Sequence, residues 1–118
     1  MEHWNEEAFS GRGLLRPGRW CVAFLADWCP FCRSFRSMFE ATDGPADISL
    51  AITDVTSEDS PLWDTFRIDV VPTIALFQDG KLIGRRDGRP MQGLERTDLE
   101  DLCRNAASPA KSAASRAG

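Results

Sequence analysis

Two cysteines three positions apart, Cys29 and Cys32, stand where a strand-like apolar run (residues 21–26) gives way to a helix-like run (residues 33–39). In the first turn of a helix such a pair shares one face and can close a small disulfide. Pro30 supports this start. With Cys29 as N-cap, proline takes the first helical position, where its fixed φ fits and its missing N–H has no intrahelical use. The Cys29 sulfur then faces the unpaired N–H groups of Phe31 and Cys32 at the positive end of the helix dipole, and both features favour thiolate. The sequence thus marks Cys29 as an attacking nucleophile and Cys32, one turn deeper, as the thiol that resolves.

The remaining elements follow from periodicity and turn residues. Residues 3–9 read as a short helix, with Trp4 and Ala8 on one face and Gly11 as its stop. Residues 20–26 are apolar almost without alternation, which suits a central strand covered on both faces. The helix opened by Pro30 presents Phe31, Phe35, Met38 and Phe39 at helical spacing and ends by Gly44 and Pro45. Residues 48–55 alternate as a second strand, and a strand, helix, strand order implies a parallel pair. Ser60 and Pro61 open a short helix reaching about Phe66. Residues 73–77 and 81–84 are strands joined at Asp79-Gly80, a strong hairpin signal. A last helix over residues 93–107 carries Leu94, Leu99, Leu102, Cys103 and Ala106 on one stripe.

At 118 residues the chain fits one domain, residues 1–107, and the small polar residues 108–118 read as a disordered tail. A net charge of −4 argues against a nucleic-acid surface, and the cluster of Arg85, Arg86 and Arg89, interrupted by Asp87, reads as a solvated loop. The N-terminal residues lack the basic and apolar stretches of an export signal, and no apolar run is long enough to span a bilayer. Four cysteines in such a chain read as redox or buried thiols, and the expected compartment is the cytoplasm. One Cys-x-x-Cys supplies two ligands where a closed zinc site needs about four, so no metal is expected. Cys21, in a strand, and Cys103, on an apolar stripe, read as buried structural thiols, with a second redox or dimerising role as the alternative for Cys103.

Three stretches together carry a family resemblance: residues 24–32 ending in Trp28-Cys29-Pro30-Phe31-Cys32, then Val71-Pro72-Thr73, then residues 77–81 at the hairpin. Over roughly residues 20–105 the chain resembles the thioredoxin family. The resemblance implies an α/β thioredoxin-like fold with a four- or five-stranded mixed sheet flanked by helices. It also implies a thiol:disulfide oxidoreductase that reduces protein disulfides through Cys29 and Cys32. Trp28, Pro30, Phe31, Val71, Pro72 and Gly88 would form the substrate groove, with Pro72 cis and the Val71 backbone exposed to pair with an extended partner. No cofactor is implied. The partners would be disulfide-containing proteins and a separate reductase or low-molecular-weight thiol as electron donor, and the chain would act as a monomer.

The chain departs from the family pattern at several points. The buried acid that family members carry beneath the dithiol matches Ala23, and its frequent lysine companion falls near Ile52, leaving water or Asp54 to move the Cys32 proton. The Pro30-Phe31 dipeptide is more like that of glutaredoxins, and such dipeptides tune reduction potential. The alternatives are therefore a thiol oxidase or isomerase, a glutaredoxin-like activity, or a thioredoxin-fold binding or chaperone module. A first strand is hard to find before Leu14.

Overall fold

The computed structural model describes residues 1–45 and 47–106. Its centre is β4 (Arg19–Leu25), which pairs in parallel with β5 (Ile48–Asp54) on one side and antiparallel with β6 (Thr73–Gln78) on the other. Both faces of β4 are covered, as its unbroken apolar sequence requires. Cys21, Ala23 and Leu25 face one layer of the core, and Val22 and Phe24 face the other. The first layer holds α1 (Pro30–Ala41) and α3 (Arg96–Ala106), through Phe35, Phe39, Leu99 and Leu102. The second holds the single turn α2 (Leu62–Thr65) and the N-terminal segment, through Leu62, Phe66, Trp4 and Phe9. β7 (Lys81–Asp87) closes the sheet antiparallel to β6, across the expected Asp79-Gly80 turn.

The N-terminal residues correct the helical expectation. Residues Glu2–Trp4 form β1, parallel to β5, with Glu2 opposite Ala51 and Trp4 opposite Thr53. A 3₁₀ turn, Glu6–Ala8, follows, capped by the Asn5 side chain, which accepts the Glu7 N–H at 2.9 Å. A small antiparallel pair, β2 (Phe9–Ser10) and β3 (Gly13–Leu14), comes next. Three residues are too few to show strand alternation, and it is the free edge of β5 that draws them into the sheet. The main sheet therefore has five strands, in the order β1-β5-β4-β6-β7.

The last helix starts later than its apolar stripe suggests. Gly93 sits at φ +70°, outside helical space, and bridges back to Arg89. The buried Asp98 carboxylate accepts the Glu95 N–H at 2.8 Å and so caps the helix start. β7 runs three residues past its expected end at Gly84, to Asp87, because β6 still offers it backbone partners up to Thr73. The expected tail, residues 108–118, lies outside the described residues. No helix among the described residues is long and apolar enough to cross a membrane.

Four phenylalanines knit the second core layer. Phe9, Phe24, Phe66 and Phe77 meet with ring centroids 5.2–6.1 Å apart. Phe77 is fully buried, so Phe77→Ala should cost about 3–5 kcal/mol of stability. A shift in urea midpoint worth under about 1 kcal/mol would mean the ring does not bear on this core.

Candidate active site

The site forms where the ends of three segments converge: the β4 exit, the start of α1, and the turn before β6. Cys29 is the N-cap of α1 in extended backbone conformation, and Pro30 is its first helical residue. The Cys32 N–H donates to Cys29 Sγ at 3.4 Å, and Cys29 Sγ lies 3.5 Å from the Val71 carbonyl, to which its thiol can donate. Both thiols are free and buried, Cys29 less completely (6% exposed) than Cys32 (2%). Cys32 Sγ accepts the Ala26 N–H at 3.5 Å. Burial pushes its pKa up to about 12, with the neighbouring Cys29 adding to the rise and the Ala26 N–H opposing it.

Val71 belongs to the ledge over this pair. The Val71-Pro72 peptide bond is cis, and Pro72 itself is buried. Gly88 donates its N–H to the Pro72 carbonyl at 2.9 Å. A Cβ at Gly88 would come within 2.7 Å of that same oxygen, so only glycine fits without displacing the ledge.

Trp28 stands out from the surface, 54% exposed, beside Cys29. Its indole N–H donates to the Thr56 carbonyl at 3.0 Å, and its ring stacks on Trp63 with centroids 6.3 Å apart. Phe31, expected on the buried stripe of α1, is instead 36% exposed at the rim, with its Cβ close to Gly93. The buried face of α1 is carried by Cys32, Phe35 and Phe39 instead.

The thioredoxin family model matches residues 2–101. The chain belongs to the thioredoxin family. It is 28% identical over 82 residues to a thioredoxin of Chlamydia caviae, covering 69% of this chain and 74% of that one. It is 33% identical over 82 residues to endoplasmic reticulum resident protein 44.2 of Caenorhabditis elegans, covering 62% of this chain. The match spans 20% of that relative's length, and 26–40% of three others. The thioredoxin of Fasciola hepatica superposes with a TM-score of 0.61 at 22% identity, over 86% of this chain and 94% of that one, which shows the shared fold. Membership in this family points to thiol–disulfide chemistry in general terms.

Within this thioredoxin-family site several expectations need adjustment. Ala23 and Ile52 lie opposite each other in adjacent parallel strands, both buried, as the missing acid and lysine imply. Asp54 is engaged in the turn beside the dithiol. Its carboxylate accepts the Thr56 N–H and hydroxyl, and Thr56 Oγ1 accepts the Asp27 N–H at 2.9 Å. Asp54 and Thr56 thus brace the Asp27-Trp28 turn. Arg33 donates to the Asp27 carbonyl, and Arg36 pairs with Asp27 and Glu40, so both guanidiniums hold the turn from the helix side. Among the described residues no group of three or more His, Cys, Asp or Glu is placed to hold a metal ion.

Sequence reasoning missed Thr56, Trp63 and the arginine clamp, since each acts on residues distant in the chain. Arg85 and Arg86 belong to β7, and Arg89, expected in a solvated loop, grips the buried Asp98 through two hydrogen bonds of 3.0 and 2.9 Å. The clamp ties the segment that carries Gly88 to α3.

Two consequences can be measured. Thr56→Val removes the acceptor for the Asp27 N–H, so the KM for a disulfide substrate should rise several-fold, up to about tenfold, with kcat little changed. An unchanged KM would remove Thr56 from the bracing role. The Asp98 carboxyl is held below its usual range, first by the Arg89 hydrogen bonds. Its stabilising contribution is therefore complete above about pH 4, where an unfolded aspartate is ionised, and fades as pH falls through the lower folded value. Asp98→Asn should flatten that acid limb of the stability curve, and a limb of undiminished slope would assign it to other carboxylates.

Proposed function

We propose that this chain is a thiol:disulfide oxidoreductase working in the reductive direction on protein disulfides, with Cys29 as nucleophile and Cys32 as resolving thiol. The observation that carries the reading is the position of Cys29 Sγ, which receives a backbone N–H from Cys32 while lying against the Val71 carbonyl. A sulfur there meets an extended partner whose backbone pairs with the Val71 edge. Cys29 thiolate attacks one sulfur of the partner's disulfide, and the other partner sulfur leaves as thiolate. Cys32 then loses its proton and attacks Cys29 Sγ, which frees the second partner sulfur and closes a Cys29–Cys32 bridge. Two electrons have passed to the partner, now a dithiol.

Trp28, Pro30, Phe31, Val71, Pro72 and Gly88 are the proposed lining of the groove. A separate reductase or a low-molecular-weight thiol resets the pair, and the cytoplasm, where such donors keep thiols reduced, is the proposed setting. Residues 1–107 are proposed as a single domain acting as a monomer. Disulfide reduction measured with insulin, supplied in parallel with a thioredoxin reductase plus NADPH and with glutathione, tests the reading. Turnover with either donor that depends on Cys29 supports it, and no turnover with both would end it.

A second reading, a binding module whose dithiol is incidental, is favoured by the apolar Ala23 and Ile52 beneath the site. It expects partner binding to survive Cys29→Ser and Cys32→Ser unaltered.

A further inference from the structure

Arg85 carries β7 into contact with the end of α2. It lies in register with Ala75, whose side chain belongs to the second core layer, so its guanidinium extends to the α2 side of the sheet. There it donates to the Phe66 carbonyl and, at 3.4 Å, to the Arg67 carbonyl. Asp87 accepts the Arg85 Nε–H at 2.8 Å and so fixes the direction of the fork. Groups of the candidate site flank the point that is gripped. Trp63, which stacks on Trp28, comes before it, and Val71 and Pro72 come after it.

The grip falls where the backbone has the least support of its own. α2 is a single turn, and the end of a helix leaves carbonyls without intrahelical donors. The chain leaves it through a Schellman turn, with the Ile68 N–H donating to the Trp63 carbonyl at 2.9 Å and the Arg67 N–H to the Asp64 carbonyl at 3.2 Å. That turn holds Arg67 at φ +48°, in the left-handed region that favours glycine. Among the described residues no backbone N–H donates to the carbonyls of Thr65, Phe66 or Arg67. Side chains do so instead: Arg85 for the last two, and Arg12, between β2 and β3, for Thr65 at 3.0 Å. Residues 67–72 then run without helix or strand to β6. Their far end is held by Thr73 Oγ1, which donates to the Val70 carbonyl at 2.8 Å, and by the Gly88 N–H on the Pro72 carbonyl. Arg85 therefore secures the near end of the connector that carries Val71.

We propose that Arg85 is a positioning residue for the docking of a protein disulfide: by holding the end of α2 it sets where the Val71 edge lies relative to Cys29. This rests on the reductase reading given above and adds to it a residue outside the groove. An extended partner pairs with backbone, and an edge that wanders loses the register that brings the partner's disulfide over Cys29. Without the guanidinium the Phe66 and Arg67 carbonyls turn to water, the left-handed turn at Arg67 loses its support, and the connector opens locally. Cys29 keeps the N–H of Cys32, which belongs to α1. The loss therefore falls on partner binding and spares the thiol.

The test compares the full chain with Arg85→Met, which keeps the aliphatic stem and removes every donor, and with Asp87→Ala, which leaves the guanidinium unsteered by changing an exposed side chain. Hydrogen–deuterium exchange is read first, on the reduced protein without a partner. Amides of residues 67–71 should exchange at least about fivefold faster in Arg85→Met and by a smaller factor in Asp87→Ala, while β4 and α1 keep their rates. In insulin reduction the KM of Arg85→Met should rise about tenfold with kcat within about twofold of the unsubstituted value. Alkylation of Cys29 by iodoacetamide, which needs no docking, should also hold within about twofold. Unchanged exchange at residues 67–71, or faster exchange throughout the chain in both variants, would overturn the proposal. So would faster local exchange with an unaltered KM, or a change confined to kcat or to alkylation. An unsubstituted chain that leaves insulin intact would end the reductase reading and this docking role together, whereas parent and variants that reduce insulin alike would overturn the positioning role alone.

Discussion

Replacing Cys29 by serine is expected to lower insulin reduction at least about a thousandfold, because a serine hydroxyl stays protonated at neutral pH and does not open a disulfide. Replacing Cys32 by serine is expected to stop turnover at a different point. Cys29, still receiving the N–H of residue 32, should attack and remain joined to its partner, since the sulfur that would release it has been replaced. Mass spectrometry should find one partner chain attached to Cys29 in the Cys32→Ser protein and none in the Cys29→Ser protein. The opposite distribution would exchange the two roles. Label on neither would remove this dithiol from the reaction.

The release step is expected to accelerate about tenfold for each pH unit between pH 7 and pH 10, close to a thousandfold in all. Cys32 must become a thiolate to attack Cys29, and burial pushes its pKa up to about 12. Through that range its ionised fraction grows in proportion to hydroxide. Neither Ala23 nor Ile52 can lift the proton, and the Asp54 carboxylate is already committed to Thr56. Stopped-flow tryptophan fluorescence, with Trp28 beside the dithiol as reporter, can follow release from a preformed mixed disulfide. A rate that levels off near pH 8 would reveal a proton acceptor close to Cys32 and remove burial as the controlling factor.

The parts of this protein that could be read directly from its residues are local ones. Pro30 after Cys29 states where α1 begins, and the unbroken apolar run of β4 states that it is central, because each depends on neighbours within one turn or one strand. Phe31 misled because helical periodicity says which side a residue takes without saying what covers that side at the helix start. β1 was hidden because its three residues gain strand character only from the β5 edge. The Arg89 clamp on Asp98 and the Trp28–Trp63 stack join residues whose partners the chain brings near only on folding.

The order of residues alone determined the dithiol, its helix-start setting and the family to which such a pattern belongs. Folding decided what surrounds those sulfurs: the carbonyl of Val71 against Cys29 and the burial that keeps Cys32 protonated. The physical reason is range. Capping, turn and strand preferences act between neighbours in the chain, whereas desolvation and contact between side chains depend on distances that exist only once the sheet and its helices have packed.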